Sequence, residues 1–379
     1  MTKIIVATDN YLPRWDGISR FLSEIVPRLA KNHDITVIAP DFGKTKKPKN
    51  YTLEKIPVMN ITTGDIKPAR PQYMRISKII KDADAVFTQT LGFVGMCAIL
   101  AAKRHNKPII SFTHSIEWEL FPKAVSMRLL KKILYPIAKT FVRFMYNKSD
   151  LLIIPSDSIS DKLMWQKIHT PKKTVHLGIN GNKFVSRKKR SVRKELGLKT
   201  NDFIVGYHGR LGREKDLKTL LRGFVRFRTK HDRVKLLIVG AGVEDVEDMF
   251  KDKKGVIFPG QQDNVIPWIQ AMDVYVLPSF TETSSLSTLE AMACETAVIA
   301  TKVGFVKDYI NDGENGLFFR QQHAYDLSKK LETLYQDSKL RSKLGRNARK
   351  TVMEKFKWQN TADGIMRAID EILQNEKKE

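Results

Sequence analysis

Short, unbroken apolar runs recur along the chain, separated by longer stretches in which apolar residues return every three or four positions. In the first half these runs are KIIVATD (3–9), ITVIAP (35–40), AVFTQT (85–90), PIISFTH (108–114) and LLIIPS (151–156). A strand without polar alternation is buried on both faces, as in a parallel sheet covered by helices. Helix-period segments lie between the runs at 18–31, 71–81, 92–105 and 123–148. The alternation restarts at FIVGYHG (203–209) and continues through VKLLIVG (234–240), VIFPG (256–260), VYVLPS (274–279) and AVIAT (297–301). After the first of these, Leu217, Leu220, Leu221, Phe224 and Phe227 share one helix face, and beyond about residue 323 the pattern is helical to the end. The order predicts two βα domains, each with its own parallel sheet. The polar, charge-dense stretch SRKKRSVRKELGLKT (186–200) reads as a linker. The expected organisation is a first domain over 1–185, a second over 201–355, and a C-terminal helix over 356–379 that packs back on the first.

Composition agrees with that picture. A chain of 379 residues, 42% of them apolar, has enough material for two cores. No apolar run approaches the roughly 20 residues of a spanning helix, and MTKIIVATDN lacks the order of a signal peptide. A cytoplasmic protein is expected. Cys97 and Cys294 both lie in apolar segments, which suggests buried small hydrophobes and neither a disulfide framework nor a Cys-based metal site. Charge changes the picture more. The chain carries a net +25, but residues 1–200 hold 37 basic and 15 acidic side chains, a net +22, and residues 201–379 only +3. Such asymmetry points to an anionic partner for the first half: a membrane surface, a nucleic acid or a phosphorylated substrate.

In open parallel sheets ligands sit outside the carboxyl ends of the strands, so the loops after each strand are where chemistry is expected, in a cleft if two such sheets face each other. After the first strand, Asp16-Gly17 opens a helix whose free N–H groups suit an anion. His114 ends the strand PIISFTH. After the first strand of the second domain comes GRLGREKD, where Arg210 and Lys215 have the fork and the point charge that grip a diphosphate without metal. In PSFTETSSLSTLEAMA, Glu282 hangs in the loop after VYVLPS and Glu290 sits about two turns further along, in a helix expected over Ser287 to Cys294. A carboxylate there accepts paired hydrogen bonds from the hydroxyls of a ribose or a hexose.

At this point the sequence resembles the retaining, nucleotide-sugar-dependent glycosyltransferases of family four, which have the GT-B fold of two Rossmann-like α/β domains facing a central cleft. The Glu282/Glu290 pair is similar to the family's E-x7-E motif, and DNYLPRWDGISRFLSEIVPRL, FTHS, VHLGINGNKF (175–184), GRLGREKD and NDGENGLFF (311–319) extend the likeness over nearly the whole chain. The resemblance implies that Arg210 and Lys215 bind the donor diphosphate, that Glu290 accepts from the ribose hydroxyls and that Glu282 contacts the transferred sugar. It implies that Gly17, next to Asp16, presents backbone N–H to the distal phosphate and that His114 faces the sugar near the reacting carbon. The donor is expected to be a UDP- or GDP-hexose, with no metal or other cofactor required. The chain departs from the family pattern at three places. It has Thr283-Ser284-Ser285 for Gly-Phe-Gly, Glu295 for a Gly, and Gly304-Phe305 for Gly-Gly. Ser284, Ser285 and Leu286 are accordingly placed with the substrate-binding residues, as the site of donor choice, and Phe305 beside the phosphate loop is expected to narrow the donor pocket or to shift the backbone N–H contacts.

Retention without an evident nucleophilic carboxylate in the first half fits the family's one-face reaction, in which the leaving diphosphate helps to deprotonate the acceptor. The acceptor domain of this fold is the half with +22. Within 121–148, Leu130, Ile133, Leu134, Ile137, Phe141 and Met145 fall at helical spacing, with Lys131, Lys132, Lys139, Arg143 and Lys148 on other faces. A second basic segment, 65–82, sets Tyr73, Met74, Ile76, Ile79 and Ile80 beside Lys67, Arg70, Arg75, Lys78 and Lys81. Helices of this kind lie in anionic bilayer surfaces. The expectation is a peripheral enzyme on the inner face of the cell membrane, glycosylating a glycerolipid or lipid-linked carrier. A soluble sugar or polysaccharide acceptor, a GT-B epimerase and a phosphorylase are the alternatives. Nucleic acid is not an expected partner, because no recognised binding module or aromatic–basic interleaving accompanies the charge.

Overall fold

A computed structural model describes residues 1–14, 16–61, 67–114, 116–118 and 128–376. The chain divides into two compact units: one runs to Gly178 and resumes at Trp358, the other is Ile179–Lys357.

The first unit is built on a seven-stranded sheet. Its strands are β1 (Lys3–Ala7), β2 (Asp34–Pro40), β3 (Thr52–Ile56), β4 (Ala85–Thr88), β5 (Ile109–Phe112), β6 (Leu151–Ile154) and β7 (Lys172–Thr174), in the order β3-β2-β1-β4-β5-β6-β7. Every pairing is parallel. The central strands are wholly buried, as their unbroken apolar runs require. The helix Gly17–Leu29 covers one face with Phe21, Leu22, Ile25, Val26 and Leu29. Trp358–Glu376 packs on that helix through Ala362, Ile365, Ala368 and Ile369, with the Trp358 ring 6.1 Å from that of Phe21.

The second unit has six parallel strands: β8 (Phe203–His208), β9 (Val234–Val239), β10 (Val256–Gly260), β11 (Val274–Leu277), β12 (Ala297–Ala300) and β13 (Leu317–Phe318), in the order β10-β9-β8-β11-β12-β13. The direction of winding reverses between β1 and β4 in the first sheet and between β8 and β11 in the second. At such a reversal neighbouring crossovers leave to opposite faces, opening a crevice at the carboxyl ends of the two strands. The loops after β1, β8 and β11 are the ones that carry Asp16-Gly17, Arg210/Lys215 and Glu282.

The stretch 186–200 does not behave as a linker. The chain passes between units at Gly178 and Ile179, and 186–200 lies inside the second unit with a helix at Lys189–Glu195. Val192 and Arg193 are buried there. Arg193 donates to the carbonyls of Ala271, Thr200 and Asp202 and pairs with Asp273 Oδ2 at 2.6 Å; the same oxygen accepts the Ile204 N–H at 2.8 Å. A guanidinium with five satisfied donors is at home in a core, so charge density alone misplaces this segment. The edge strands β3 and β7 also carry no continuous apolar run, because a sheet edge is buried less completely.

Candidate functional site

The loop after β8 is shaped by glycine. Gly209 has φ +134, and a side chain on Gly212 would meet Glu214 Oε2 at 2.3 Å. That space lets the buried Glu214 fold back on its own loop, where Oε1 lies 2.5 Å from Arg210 Nη2. The Tyr207 hydroxyl, kept neutral by burial, donates to the Arg210 carbonyl at 2.9 Å. A 3-10 turn at Arg213–Lys215 then delivers Lys215 toward β11.

In the loop after β11, Glu282 Oε1 accepts from Lys215 Nζ at 2.6 Å and from Ser279 Oγ at 2.7 Å. Lys215 and Glu282 are 67 residues apart, and the adjacency of β8 and β11 brings them together. Their side chains are 18% and 9% exposed, so the pair is largely dehydrated and stronger than a surface pair. The loop is clamped around them. Phe280 N–H donates to the Glu214 carbonyl at 2.9 Å, Gln321 Nε2 to the Phe280 carbonyl at 3.0 Å, Thr301 Oγ1 to the Ser279 carbonyl at 2.7 Å, and Phe305 N–H to the Thr283 carbonyl at 3.0 Å.

Glu290 has a different setting. It is 1% exposed on the helix Leu286–Ala293, with Oε2 3.6 Å from His208 Nδ1, and His208 Nε2 lies 3.0 Å from the Ser287 carbonyl. Ser285 takes φ +57 as N-cap of that helix, and its Oγ lies 2.8 Å from Thr288 Oγ1. Ser284 is buried, and its Oγ has no hydrogen-bond partner among the described residues. Leu286 is half-buried at the first helical position. Glu295, where the resemblance calls for Gly, has φ +59, so both Ser285 and Glu295 keep the left-handed backbone that glycine serves best.

Phe305 does not narrow a ligand pocket. It is 7% exposed, with its ring 5.4 Å from Tyr309 and 5.9 Å from Phe356, because the αR backbone turns it into the core. Gly304 is the constrained partner of that pair: at φ +46 an added Cβ would lie 1.6 Å from the Glu282 carbonyl oxygen.

In the first unit, Asp16 caps the helix Gly17–Leu29. Oδ1 accepts the N–H of Ile18 at 3.0 Å and of Ser19 at 2.9 Å, and Oδ2 accepts from Asn10 and Arg14. Its carboxylate is thus committed to the fold. Gly17 is exposed, with open space where a Cβ would stand. His114 follows β5, stacked on Phe112 with ring centroids 4.3 Å apart and edge-on to Phe21, its Nε2 2.9 Å from Gln89 Oε1. Burial pushes its pKa down to about 3, so the ring is neutral at physiological pH.

The helix Arg128–Tyr146 is apolar on two faces, where the sequence suggests one stripe. Ala138, Val142, Met145 and Tyr146 point into the core, whereas Ile137 and Phe144 are 58% and 56% exposed. Pro136, Ile137, Thr140, Phe141 and Phe144 line a shallow apolar groove. Lys139 and Arg143 are half-buried, and Lys148 Nζ stands 4.4 Å above the Phe144 ring. Residues 121–127 and the side chains of Leu130, Lys131, Lys132 and Ile133 lie outside the described residues. The second basic segment is more ordinary: Ile76 and Ile80 of the helix Tyr73–Lys81 are core, Arg75 pairs with Glu54, and residues 65 and 66 lie outside the described residues.

Sequence reasoning passes over Glu214 and His208. Glu214 lies between Arg210 and Lys215 in GRLGREKD, and His208 is the last residue of β8; a titratable group at a strand's carboxyl end is the signal that marks it. Among the described residues no group of three or more His, Cys, Asp or Glu side chains is arranged to hold a metal ion, and no helix is long and apolar enough to cross a membrane.

Residues 15–182 match the family described as Glycosyltransferase Family 4, and residues 188–351 match Glycosyl transferases group 1. The chain is 25% identical over 368 residues to the alpha-monoglucosyldiacylglycerol synthase of Acholeplasma laidlawii, covering 91% of each. It is 24% identical over 370 residues to the capsular polysaccharide biosynthesis glycosyltransferase CapM of Staphylococcus aureus, covering 93% of this chain and 92% of that one. The crystal structure of Anabaena HepE in complex with UDP and glucose superposes with a TM-score of 0.78 at 17% identity, over 98% of this chain and 99% of that one.

Proposed function

We propose that this chain, which belongs to the GT-B glycosyltransferases of family four, moves a hexose with retention from a UDP- or GDP-linked donor to a hydroxyl of a membrane glycerolipid or lipid-linked glycan. The observation that carries the reading is the pairing of Lys215 with Glu282 at the β8/β11 reversal of the second sheet, with Arg210 held by Glu214 on the same β8 loop. Two cations of different geometry suit the two phosphates of a nucleoside diphosphate, and a carboxylate beside them suits the hydroxyls of the attached sugar. As the glycosidic bond breaks, charge gathers on the departing diphosphate. Arg210 and Lys215 stabilise that charge, and the clamped loop holds the sugar, so catalysis is positioning plus electrostatics. On the first unit, Gly17 leaves the helix N-terminus open to a phosphate and the neutral His114 is a hydrogen-bonding group for the sugar. Glu290 is assigned to the ribose hydroxyls. The diphosphate oxygen that leaves on the reacting face takes the acceptor proton.

The lipid acceptor is supported by the outward apolar face at Ile137, Phe141 and Phe144, flanked by Lys139, Arg143 and Lys148, and by the likeness to a glucosyldiacylglycerol synthase. An apolar strip edged by cations suits an anionic leaflet, each cation near the surface adding about 1 kcal/mol. The enzyme is then peripheral on the inner face of the cell membrane.

The test is incubation of the purified protein with UDP- and GDP-hexoses and a total membrane lipid extract, followed by mass spectrometry. Lipids heavier by one hexose are expected, and Ile137→Glu/Phe144→Glu loses flotation with anionic liposomes at low salt while keeping donor binding. Transfer only to soluble sugars overturns the lipid acceptor; isomerisation or phosphorolysis without transfer overturns the transferase reading for its epimerase or phosphorylase rival.

A further inference from the structure

The helix Asp157–Trp165 buries Ile159 and Leu163 and ends on a tryptophan turned away from them. Successive helical residues are about 100° apart, so Trp165, two positions after Leu163, falls on the opposite side. It is 84% exposed, and Met164 beside it is exposed as well. Of the eleven exposed large hydrophobics among the described residues, Tyr135, Ile137, Phe144, Met164 and Trp165 lie on this helix and on Arg128–Tyr146. Scattered singly, such residues need no account; gathered on two joined helices, they mark an interaction surface.

Trp165 is held rather than loose. Lys167 takes φ +60 just past the helix end, its N–H donating to the Met164 carbonyl at 2.9 Å and the Ile168 N–H to the Leu163 carbonyl at 3.2 Å, with Leu163 and Ile168 both buried. The turn is fastened to the end of Arg128–Tyr146. Asn147 Nδ2 donates to the Lys167 carbonyl at 3.0 Å, Asn147 Oδ1 accepts the His169 N–H at 2.9 Å, and Thr170 Oγ1 donates to the Tyr146 carbonyl at 2.8 Å. Lys172 Nζ braces the same turn, donating to the carbonyls of Ile168 and Thr170 at 2.7 and 2.9 Å. An aromatic ring carried on a braced turn loses little freedom when it is covered.

The cations around it choose the occupant. Lys167 is exposed two residues from Trp165, and Lys148, next to Asn147, holds Nζ 4.4 Å above the Phe144 ring. Asp161, one turn before Trp165, offsets part of that charge; Asp150 is paired with Lys103, and Asp157 accepts from Thr174. Lysine is depleted at interfaces between proteins. Trp beside Lys and Arg is instead the composition of a membrane–water boundary, where the ring lies at headgroup level and the ammonium groups reach lipid phosphates.

We propose that Trp165 is an interfacial anchor: with Met164 it enters the headgroup region of an anionic leaflet, a second foothold next to the strip at Ile137 and Phe144, with Lys148 and Lys167 on the lipid phosphates. This rests on the membrane reading given above and adds to it. One strip leaves the first unit able to roll about the axis of the helix Arg128–Tyr146, and a second foothold fixes the roll.

The test is binding of the full-length protein to vesicles of phosphatidylcholine with and without phosphatidylglycerol, read by flotation and by tryptophan emission, with brominated acyl chains as quencher. Trp118 and Trp358 are buried, and the signal that responds is expected to be that of Trp165: a blue shift and quenching in the wild type that Trp165→Phe abolishes. Trp165→Ser is expected to bind anionic vesicles about tenfold or more weakly, through the loss of one large apolar side chain, and Trp165→Tyr to recover most of that affinity. Donor-nucleotide binding and the denaturation midpoint stay as in the wild type. If the wild type floats but quenching survives in Trp165→Phe, or Trp165→Ser floats like the wild type, the anchor is overturned and the membrane reading stands. If the wild type floats with neither vesicle, both fall. A concentration-dependent dimer that Trp165→Ser dissolves makes a second copy of the chain the occupant, and equal binding to both vesicles removes the role of the cations; either result overturns the proposal.

Discussion

Gly304 is the point where the backbone of one loop presses hardest on the site. At φ +46, a Cβ built on it would lie 1.6 Å from the Glu282 carbonyl oxygen, 2.6 Å from the carbonyl carbon and 3.4 Å from the Thr283 nitrogen. Ordinary contact between such atoms is about 3.5 Å, so Gly304→Ala forces the two segments apart by roughly 2 Å. The segment that yields carries Glu282, whose Oε1 is held 2.6 Å from Lys215 Nζ and 2.7 Å from Ser279 Oγ. A misplacement of about 1 Å at a reacting geometry costs on the order of 10²-fold in rate, so a loss of at least that size in kcat is expected. Stability falls as well: about 1–2 kcal/mol for the left-handed backbone and about 1–3 kcal/mol for the overpacking. Gly260→Ala is the matched control, because it has φ +72 but nothing within 4 Å of its Cβ, and it is expected to cost strain alone with turnover near that of the wild type. The assay is steady-state hexose transfer to the lipid product, alongside chemical denaturation of all three proteins. If Gly304→Ala turns over within a few-fold of the wild type and is no less stable than Gly260→Ala, the claimed coupling between this glycine and Glu282 is wrong.

Arg210→Ala should lower kcat by about 10²–10³-fold, the usual effect of removing one donor to a developing oxyanion. Because it strands the buried Glu214, it should also lose stability that Arg210→Ala/Glu214→Gln regains without regaining turnover; a double variant with restored activity contradicts the role given to Arg210. Glu295→Gly should stabilise the chain by roughly 1 kcal/mol, since it relieves φ +59 and loses only a 3.8 Å pair with Arg349. Ser285→Gly should gain less, because Ser285 Oγ is bonded to Thr288; denaturation midpoints of the two variants give the order. His114 titrates at about 3 in the folded chain against an ordinary 6.5, so the unfolded chain binds its proton first as pH falls. Stability contributed at this position is present above about 6.5 and drains away toward about 3, and His114→Gln should flatten that part of the stability–pH curve relative to the wild type.

Local features were the legible ones. The continuous runs at β1, β4, β8, β11 and β12 declare central parallel strands, because a residue buried on either face must be apolar whatever its partner. The helix Leu286–Ala293 and the helical C-terminus after residue 323 read just as directly. The site was legible as a set of loops: GRLGREKD and PSFTETSS stand out as polar, turn-rich segments at strand ends, and their likeness to family four singles out Arg210, Lys215, Glu282 and Glu290. The edge strands β3 and β7, the helix at Lys189–Glu195 and the second apolar face of Arg128–Tyr146 were not, since each depends on what the rest of the chain places against it. Arg193 counts as a charged surface residue until Asp273 and three carbonyls surround it. Helical spacing alone does not say that Val142 and Tyr146 take the inward face while Ile137 and Phe144 stay exposed.

The sequence by itself therefore determined the two sheets, the class of fold and the identity of the loops that bear the chemistry, because burial period and turn composition are properties of neighbouring residues. Only the tertiary structure decided the pairings. Strand order set Lys215 against Glu282 across 67 residues and His208 against Glu290 across the β8–helix contact. The backbone at Gly304 and Phe305 turned one side chain into the core and left no room for another. Those outcomes follow from the packing of segments distant along the chain, and no local pattern of hydrophobic and polar positions encodes them.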